Sequence, residues 1–220
     1  MATVNQIEFI LSIKDKIKEP ILIMGSKIYN YDAKNIETTL RQAGFNEIIG
    51  VDIFDGEGVT VVADICDLNH PYFTSKKAYF NTIFCMEVIT HVPQPWLVGQ
   101  NINNLTAAEG HVILSECFVR KFSRMPKDYW RFTYDSFAVI CTDFDFIDSL
   151  AMKSLTRAKK PDLVPFDNTI FEIMHEKSVD ETTIGYYLRK IHRKYFGGKL
   201  FKVSRLLPEQ TFYAIGKKRA

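Results

Sequence analysis

The 220-residue chain has no apolar run near the roughly 20 residues that span a bilayer. Its first residues, M-A-T-V-N-Q-I-E-F-I-L, lack the basic start and apolar centre of a secretory leader. Both absences lead us to expect a cytoplasmic protein with no membrane span. The four cysteines (Cys66, Cys85, Cys117 and Cys141) form no C-x-x-C pair. That spacing removes a thiolate zinc site and a disulfide framework, and reads as buried thiols in a reducing compartment. No G-x-G-x-x-G follows the first apolar run, so the phosphate loop of a dinucleotide-binding dehydrogenase is missing. Internal repeats, low-complexity tracts and an appended RNA-binding module are also lacking.

What is present suits one domain with a large core, or one domain plus an elaboration. The chain is 46% hydrophobic and 25% charged, which is ordinary for a globular protein. The net charge of +2 hides an asymmetry. Residues 1–150 carry 13 Lys and Arg against 19 Asp and Glu, a net of −6, and residues 151–220 carry 15 against 7, a net of +8. The basic C-terminal part is either a solvated face or a surface for an anionic partner.

The most informative stretch is residues 48–68, I-I-G-V-D-I-F-D-G-E-G-V-T-V-V-A-D-I-C-D-L. Two β-branched runs, 48–53 and 59–63, are each closed by an acid, Asp52 and Asp64, with the turn-rich F-D-G-E-G between them. In an open parallel α/β sheet, ligands bind outside the carboxyl ends of the strands. Two carboxylates at neighbouring strand ends would line one crevice. A carboxylate accepts two hydrogen bonds at once and so suits the two hydroxyls of a ribose. The stretch therefore predicts a nucleoside-containing cofactor.

The flanking pattern supplies the sheet. An amphipathic helix is expected over residues 3–18, with Val4, Ile7, Ile10, Leu11, Ile13 and Ile17 on its apolar face. Ile21–Met24 reads as a buried strand closed by Gly25-Ser26. A helix from an Asp32 cap to Ala43 follows, ended by Gly44. Residues 69–79 read as a loop with a short polar segment. Phe80–Met86 is a further buried strand ending at Glu87, with His91 four residues on. A helix starting at Trp96 leads through a turn at Glu109-Gly110 to a strand over residues 111–117. Residues 118–133, F-V-R-K-F-S-R-M-P-K-D-Y-W-R-F-T, hold five basic and five aromatic residues and read as a loop covering a substrate. Trp130 is expected in the core. Thr133 is expected to cap a short helix. Further strands are expected over residues 144–150 and 211–215, and 153–166 reads as a polar, proline-bounded segment. A basic aromatic helix is expected near 182–195. Strands alternating with helices give a mostly parallel α/β sheet covered on both faces.

G-V-D-I, D-G-E-G-V, A-D-I-C-D-L, F-C-M-E-V-I-T-H-V-P-Q-P-W and K-D-Y-W-R-F-T, in this order, resemble the class I S-adenosylmethionine-dependent methyltransferases, and within them a bacterial branch found among genes for glycan or small-molecule modification. The resemblance covers roughly residues 20–150. It implies a Rossmann-like, seven-stranded sheet in the order 3-2-1-4-5-7-6 whose antiparallel last strand is 211–216. The whole chain would be a single methyltransferase-like domain, with 153–208 as a basic helical elaboration.

The same resemblance implies S-adenosyl-L-methionine as cofactor and an O or N atom of a small molecule or sugar as methyl acceptor. Gly25 and Ser26 would form the first turn, the glycine leaving room for the methionine part. Asp52, with Ile53 after it, would hold the ribose hydroxyls. Asp64 would face the adenine amino group, with Ile65 against the ring. Glu87 would face the methionine end or the transfer site. Glu87 and His91 are the candidate bases, and Arg124, Tyr129 and Arg131 the candidate acceptor contacts. Arg120, Lys121, Arg124, Lys127 and Arg131 suit an anionic acceptor. The chain departs from the family pattern at Ile23, two residues before Gly25, where an acid usually stands as partner of the methionine amino group. Two further readings stay open. One is a nucleic-acid methyltransferase using the basic C-terminal part. The other is a non-catalytic, methyltransferase-like binding subunit.

Overall fold

Four consecutive apolar residues, Ile21–Met24, form the central strand β1, and all four are buried. A strand between parallel neighbours with helices on both faces reads as an unbroken apolar run. β1 pairs in parallel with β2 (Ile48–Asp52) on one side and β4 (Phe80–Met86) on the other. β3 (Val61–Val62) extends the sheet beyond β2, and β5 (Thr106–Val119) lies beyond β4, both parallel. β9 (Gln210–Lys218) returns antiparallel along β5.

The coordinates are a computed structural model, in which residues 3–29, 35–120, 122–123, 126–154, 161, 163–166, 183–185, 187–188, 191 and 210–220 are described. Two compact units emerge, Met1–Pro165 with Glu209–Ala220, and Phe166–Pro208. In the second, positions 183–185, 187–188 and 191 are helical, and the rest of the expected helix near 182–195 lies outside the described residues.

The order β3-β2-β1-β4-β5-β9 reproduces the expected arrangement up to the last strand. Its outer edge differs. The expected strand over 144–150 is broken into β6 (Phe144–Phe146) and a 3-10 turn at Asp148–Leu150, and is followed by β7 (Met152–Ser154). β6 pairs with residues 216–218 of β9, and β7 with 211–213, so two short strands share one edge. β8 (Leu163–Pro165) then pairs antiparallel with β7, where a polar segment was expected. The long strand β9 offers β6 and β7, and β7 in turn offers β8, backbone partners that their composition does not announce.

The first helix, α1 (Val4–Ser12), is shorter than its pattern suggested, and the apolar spacing continues through a 3-10 turn at Lys14–Lys16. Thr3 and Gln6 form a reciprocal capping box, Thr3 Oγ1 accepting from Gln6 N at 3.1 Å and Gln6 Oε1 from Thr3 N at 2.6 Å. Phe9, Ile10 and Ile13 of this segment pack in one cluster with Ile21, Ile23, Phe84 and Tyr213.

The second helix, α2 (Ile36–Gln42), is capped by Asn35, and the expected cap Asp32 lies outside the described residues. Gly44 closes α2 at φ +100°, as the C-terminal glycine rule requires. α3 (Pro71–Ser75) occupies part of the expected loop. α4 (Pro95–Leu105) precedes β5, and the N-cap of α5 (Ser136–Ile140) is Asp135 instead of the expected Thr133, with no side-chain cap bond, while the Thr133 carbonyl accepts from Ser136 N at 3.2 Å. Glu109, in the expected turn, is a left-handed kink inside the longer β5, at φ +62°.

α4 and α5 meet where Gly99 faces the backbone of Ile140. A β-carbon at Gly99 would lie 1.9 Å from the Ile140 carbonyl oxygen. Gly99→Ala gains up to about 1 kcal/mol of helix propensity but forces rigid backbone apart at about 1–3 kcal/mol. We expect net destabilisation, read as a lower urea midpoint at unchanged m; an equal or higher midpoint would show that the two helices yield freely.

Candidate functional site

A cavity of about 280 Å³ opens at the carboxyl ends of the parallel strands, where ligands of such sheets bind. Each strand contributes to it. Gly25 and Lys27 follow β1, Asp52 and Ile53 end and follow β2, and Asp64 and Ile65 follow β3. Glu87 and His91 follow β4, and Arg120 and Ser123 follow β5.

The first turn is held to the second strand. Gly25 N and Ser26 N both donate to Val51 O, at 2.8 and 3.1 Å. Gly25 has φ +72°, and a β-carbon there would lie 2.4 Å from Val88 Cγ2. The protein's own packing therefore demands this glycine, in addition to any ligand. The Ser26 side chain turns towards Gly50, where a β-carbon would sit 2.6 Å from Ser26 Oγ. That hydroxyl is enclosed without a hydrogen-bond partner among the described residues and does not line the main cavity.

The two strand-end acids are aimed by backbone donors. Asp52 Oδ2 accepts from Lys27 N at 3.1 Å and its Oδ1 from Phe54 N at 3.0 Å. Asp64 Oδ1 accepts from Cys66 N at 2.8 Å. A carboxylate has about four acceptor positions, so both groups keep capacity for a ligand's donors. Ile53 is 53% exposed, while Ile65 is buried and its carbonyl accepts from Asn101 Nδ2 at 2.9 Å.

Glu87 sits at φ +54°, a left-handed conformation that costs a non-glycine residue energy and is found where a side chain must be aimed. Its N–H donates to Ser115 O at 2.6 Å. Its carboxylate pairs with Arg120, Oε2 to Nη1 at 2.9 Å, with both side chains largely enclosed. His91 Nδ1 contacts the carbonyl of Lys127. A carbonyl can only accept, so Nδ1 carries the proton and Nε2 is left as the acceptor nitrogen.

The turn bearing these groups rests on a residue that no motif flagged. Glu116, in the middle of β5, is fully buried. Its Oε1 accepts from Val88 N at 2.9 Å and Ile89 N at 2.6 Å, and its Oε2 from Thr90 N at 3.3 Å. Burial pushes its carboxyl up to about 8, with the neighbouring Glu87 charge acting in the same direction against the three N–H bonds. The signal was visible: an acid inside the apolar run H-V-I-L-S-E-C-F must find donors.

From the other side, residues 127–132 strap the same turn. Tyr129 N donates to Thr90 O at 3.0 Å, Thr90 Oγ1 donates to Trp130 O, and Trp130 Nε1 donates to Val92 O at 2.9 Å. Trp130 is 37% exposed, so it anchors the strap through its N–H instead of filling the core as expected. Arg131 pairs with Asp128, which also accepts from Ser123 N at 2.6 Å. The guanidinium beside it holds the Asp128 carboxyl down to about 2. Tyr129 and Arg131 do not line the cavity, and Arg124 lies outside the described residues.

Searched by sequence, the chain matches no protein-family model and no curated protein. Solved structures do resemble it. A SAM-dependent methyltransferase from Archaeoglobus fulgidus shares 13% identity over 96% of this chain and 92% of that one, with a TM-score of 0.54. The fold is that of the class I methyltransferases. The same methyltransferase fold recurs in the Burkholderia thailandensis 1,6-didemethyltoxoflavin-N1-methyltransferase, solved with 1,6-didemethyltoxoflavin and S-adenosylhomocysteine bound. There the identity is 11%, the coverage 91% of this chain and 71% of that one, and the TM-score 0.51. It recurs again in a Haemonchus contortus phosphoethanolamine N-methyltransferase 2, at 16% identity and TM-score 0.54, where 99% of this chain matches 53% of that one.

The raised carboxyl of Glu116 gives a pH signature. Its ordinary value is 4.5 and its folded value about 8. The folded state therefore binds the extra proton between these values. The stability this contributes is complete below about 4.5 and is lost as pH rises through about 8. Glu116→Gln removes the titration. The unfolding free energy of wild type minus that of E116Q should fall with rising pH across this window, by up to about 1.4 kcal/mol per pH unit. Urea titrations at pH 5, 6.5 and 8 measure it, and a constant difference would mean that the buried carboxyl titrates normally.

Proposed function

We propose that the chain is an S-adenosylmethionine-dependent methyltransferase acting on an O or N atom of a small molecule or sugar. The observation that carries this reading is the pair of backbone-aimed carboxylates, Asp52 and Asp64, at adjacent strand ends in the cavity of a methyltransferase fold. The cofactor, when bound, supplies a methyl carbon on a positively charged sulfur.

The chain's own residues would then position the two reactants and move one proton. Asp52 takes the ribose hydroxyls with the acceptor capacity its two backbone bonds leave. Asp64 faces the adenine amino group, with Ile53 and Ile65 against the ring. The N–H groups of Gly25 and Ser26 are engaged by Val51, so the first turn meets the cofactor by its shape and not by those donors. His91 is the better proton acceptor for a hydroxyl nucleophile. Its Nδ1–H is held by the Lys127 carbonyl, and its Nε2 is the basic atom, whereas the Glu87 carboxylate is already paired with Arg120. Val88, Val92, Pro93 and Pro126 give this end of the cavity apolar walls, which suits a compact acceptor.

Arg131 is neutralised by Asp128, so its charge is not free for an anionic acceptor, and Arg120 stands paired with Glu87 at the cavity wall. Tyr129 and Arg131 act on the acceptor through the strap they fix. A nucleic-acid acceptor would draw on the basic C-terminal part, most of which lies outside the described residues. The reaction site itself is a cavity, which favours the small acceptor.

Calorimetric titration with S-adenosylmethionine and S-adenosylhomocysteine, with NAD as control, tests the cofactor. Micromolar binding of the first two is expected. Asp52→Ala removes charge-assisted hydrogen bonds of about 1.5–3 kcal/mol, a loss of roughly 10- to 100-fold in affinity, in a protein whose circular dichroism stays that of the folded state. No binding by folded wild type would favour the non-catalytic reading, and unchanged affinity of D52A would remove the ribose role.

A further inference from the structure

Position 23, where the resemblance calls for an acid facing the methionine amino group, is occupied by Ile23, which is 3% exposed and packed in the main core cluster. It offers no polar atom and no room for a neighbour to substitute at the same place. Among the described residues three carboxylates line the cavity, Asp52, Asp64 and Glu87. The first two stand over β2 and β3, where each is aimed by the amides of its own loop. Glu87 stands on the other side of β1, at the end of β4, and Arg120 follows β5 beside it. Strands in a sheet lie about 4.8 Å apart. A ligand whose nucleoside lies over β2 and β3 therefore extends across β1 with its far end over β4 and β5.

At that far end stands an ion pair of fixed polarity. Glu87 and Arg120 meet at 2.9 Å with side chains only 8% and 14% exposed. The guanidinium has five N–H donors in a rigid fork and gives one hydrogen bond, to Glu87, among the described residues. The remaining donors suit a carboxylate, which matches two of them at once. Glu87, for its part, is held at a left-handed backbone angle that aims it. A ligand group with an ammonium beside a carboxylate is the charge complement of this pair. The α-amino acid end of the cofactor is such a group.

We propose that Glu87 and Arg120 together bind the amino and carboxylate groups of the cofactor's methionine part, replacing the acid that position 23 lacks. This rests on the cofactor reading above. The rival acid is Glu37, which lines a second, smaller cleft beyond Gly25 but is tied to Arg41 at 2.8 Å, one helical turn on.

The test compares S-adenosylhomocysteine with 5′-methylthioadenosine, which keeps the adenosine and thioether but lacks the amino acid. Wild type should bind the first about 10- to 100-fold more tightly, the scale of charge-assisted hydrogen bonds. In Glu87→Gln and Arg120→Met that ratio should fall to within about 3-fold, with 5′-methylthioadenosine affinity held, and Glu37→Gln should keep the wild-type ratio. Retained binding of 5′-methylthioadenosine shows that a variant is folded, and should one variant lose it, the other decides. A wild-type ratio in E87Q or R120M, or a collapsed ratio in E37Q, would overturn the proposal while leaving the cofactor reading intact. Failure of wild type to bind either ligand would overturn both.

Discussion

The buried carboxylate of Glu116 is the constraint on which the arrangement of the cavity depends. It accepts from three successive amides, Val88 N, Ile89 N and Thr90 N, which would otherwise be enclosed without partners. An unpaired buried amide costs about 1–3 kcal/mol, so this turn has little stability apart from the acid beneath it. The turn in turn dictates three other features. Val88 leaves no space for a side chain at Gly25, so the first turn is set by the fourth strand's exit. Thr90 presents both its carbonyl and its hydroxyl to the strap. His91 follows directly and is oriented by Lys127 of that strap. The exit of β4 and the strap are thus hydrogen-bonded to one another, and the first turn packs against that exit through Val88.

Sheet geometry explains why so little else is needed to place the acids. β1 is short, and its parallel register with β2 pairs Met24 with Val51, so Gly25 and Asp52 emerge at the same level. β3 reaches the same level through the pairing of Asp52 with Val62. The link between β2 and β3 folds back closely enough that Gly50 must lack a side chain, since a β-carbon would meet Gly58 O at 1.9 Å. Thr60 secures this fold, its N–H donating to Gly50 O at 2.8 Å and its Oγ1 accepting from Gly50 N at 3.1 Å.

These strand ends were legible in the sequence because each is encoded locally. An apolar run followed by an acid or glycine marks a buried parallel strand and its exit; β1 and β2 follow that rule, and β4 does so from Ile83 onward, after Asn81 and Thr82. The outer edge was less legible. β7 and β8 are three residues each; β7 pairs with residues 211–213 of β9, far away in sequence, and β8 is held only through its pairing with β7. No local composition encodes a partner at that range. The same limit applies to the breaking of the run over 144–150, which follows from two segments competing for one edge of β9.

The site shows a different limit. Counting charges in residues 118–133 gives a basic cover for an anionic acceptor, yet the count omits what each charge faces. Arg131 lies three residues after Asp128, and the two form an ion pair within the strap. Arg120 meets Glu87 from 33 residues away. Both guanidiniums thus meet acids, and one of these, Glu87, reads in the sequence as a candidate base. A basic run directs charge outward only when no acid lies within reach of its folded position. Here Asp128 turns the Arg131 charge into internal scaffold, while Arg120 enters the cavity wall already paired with Glu87.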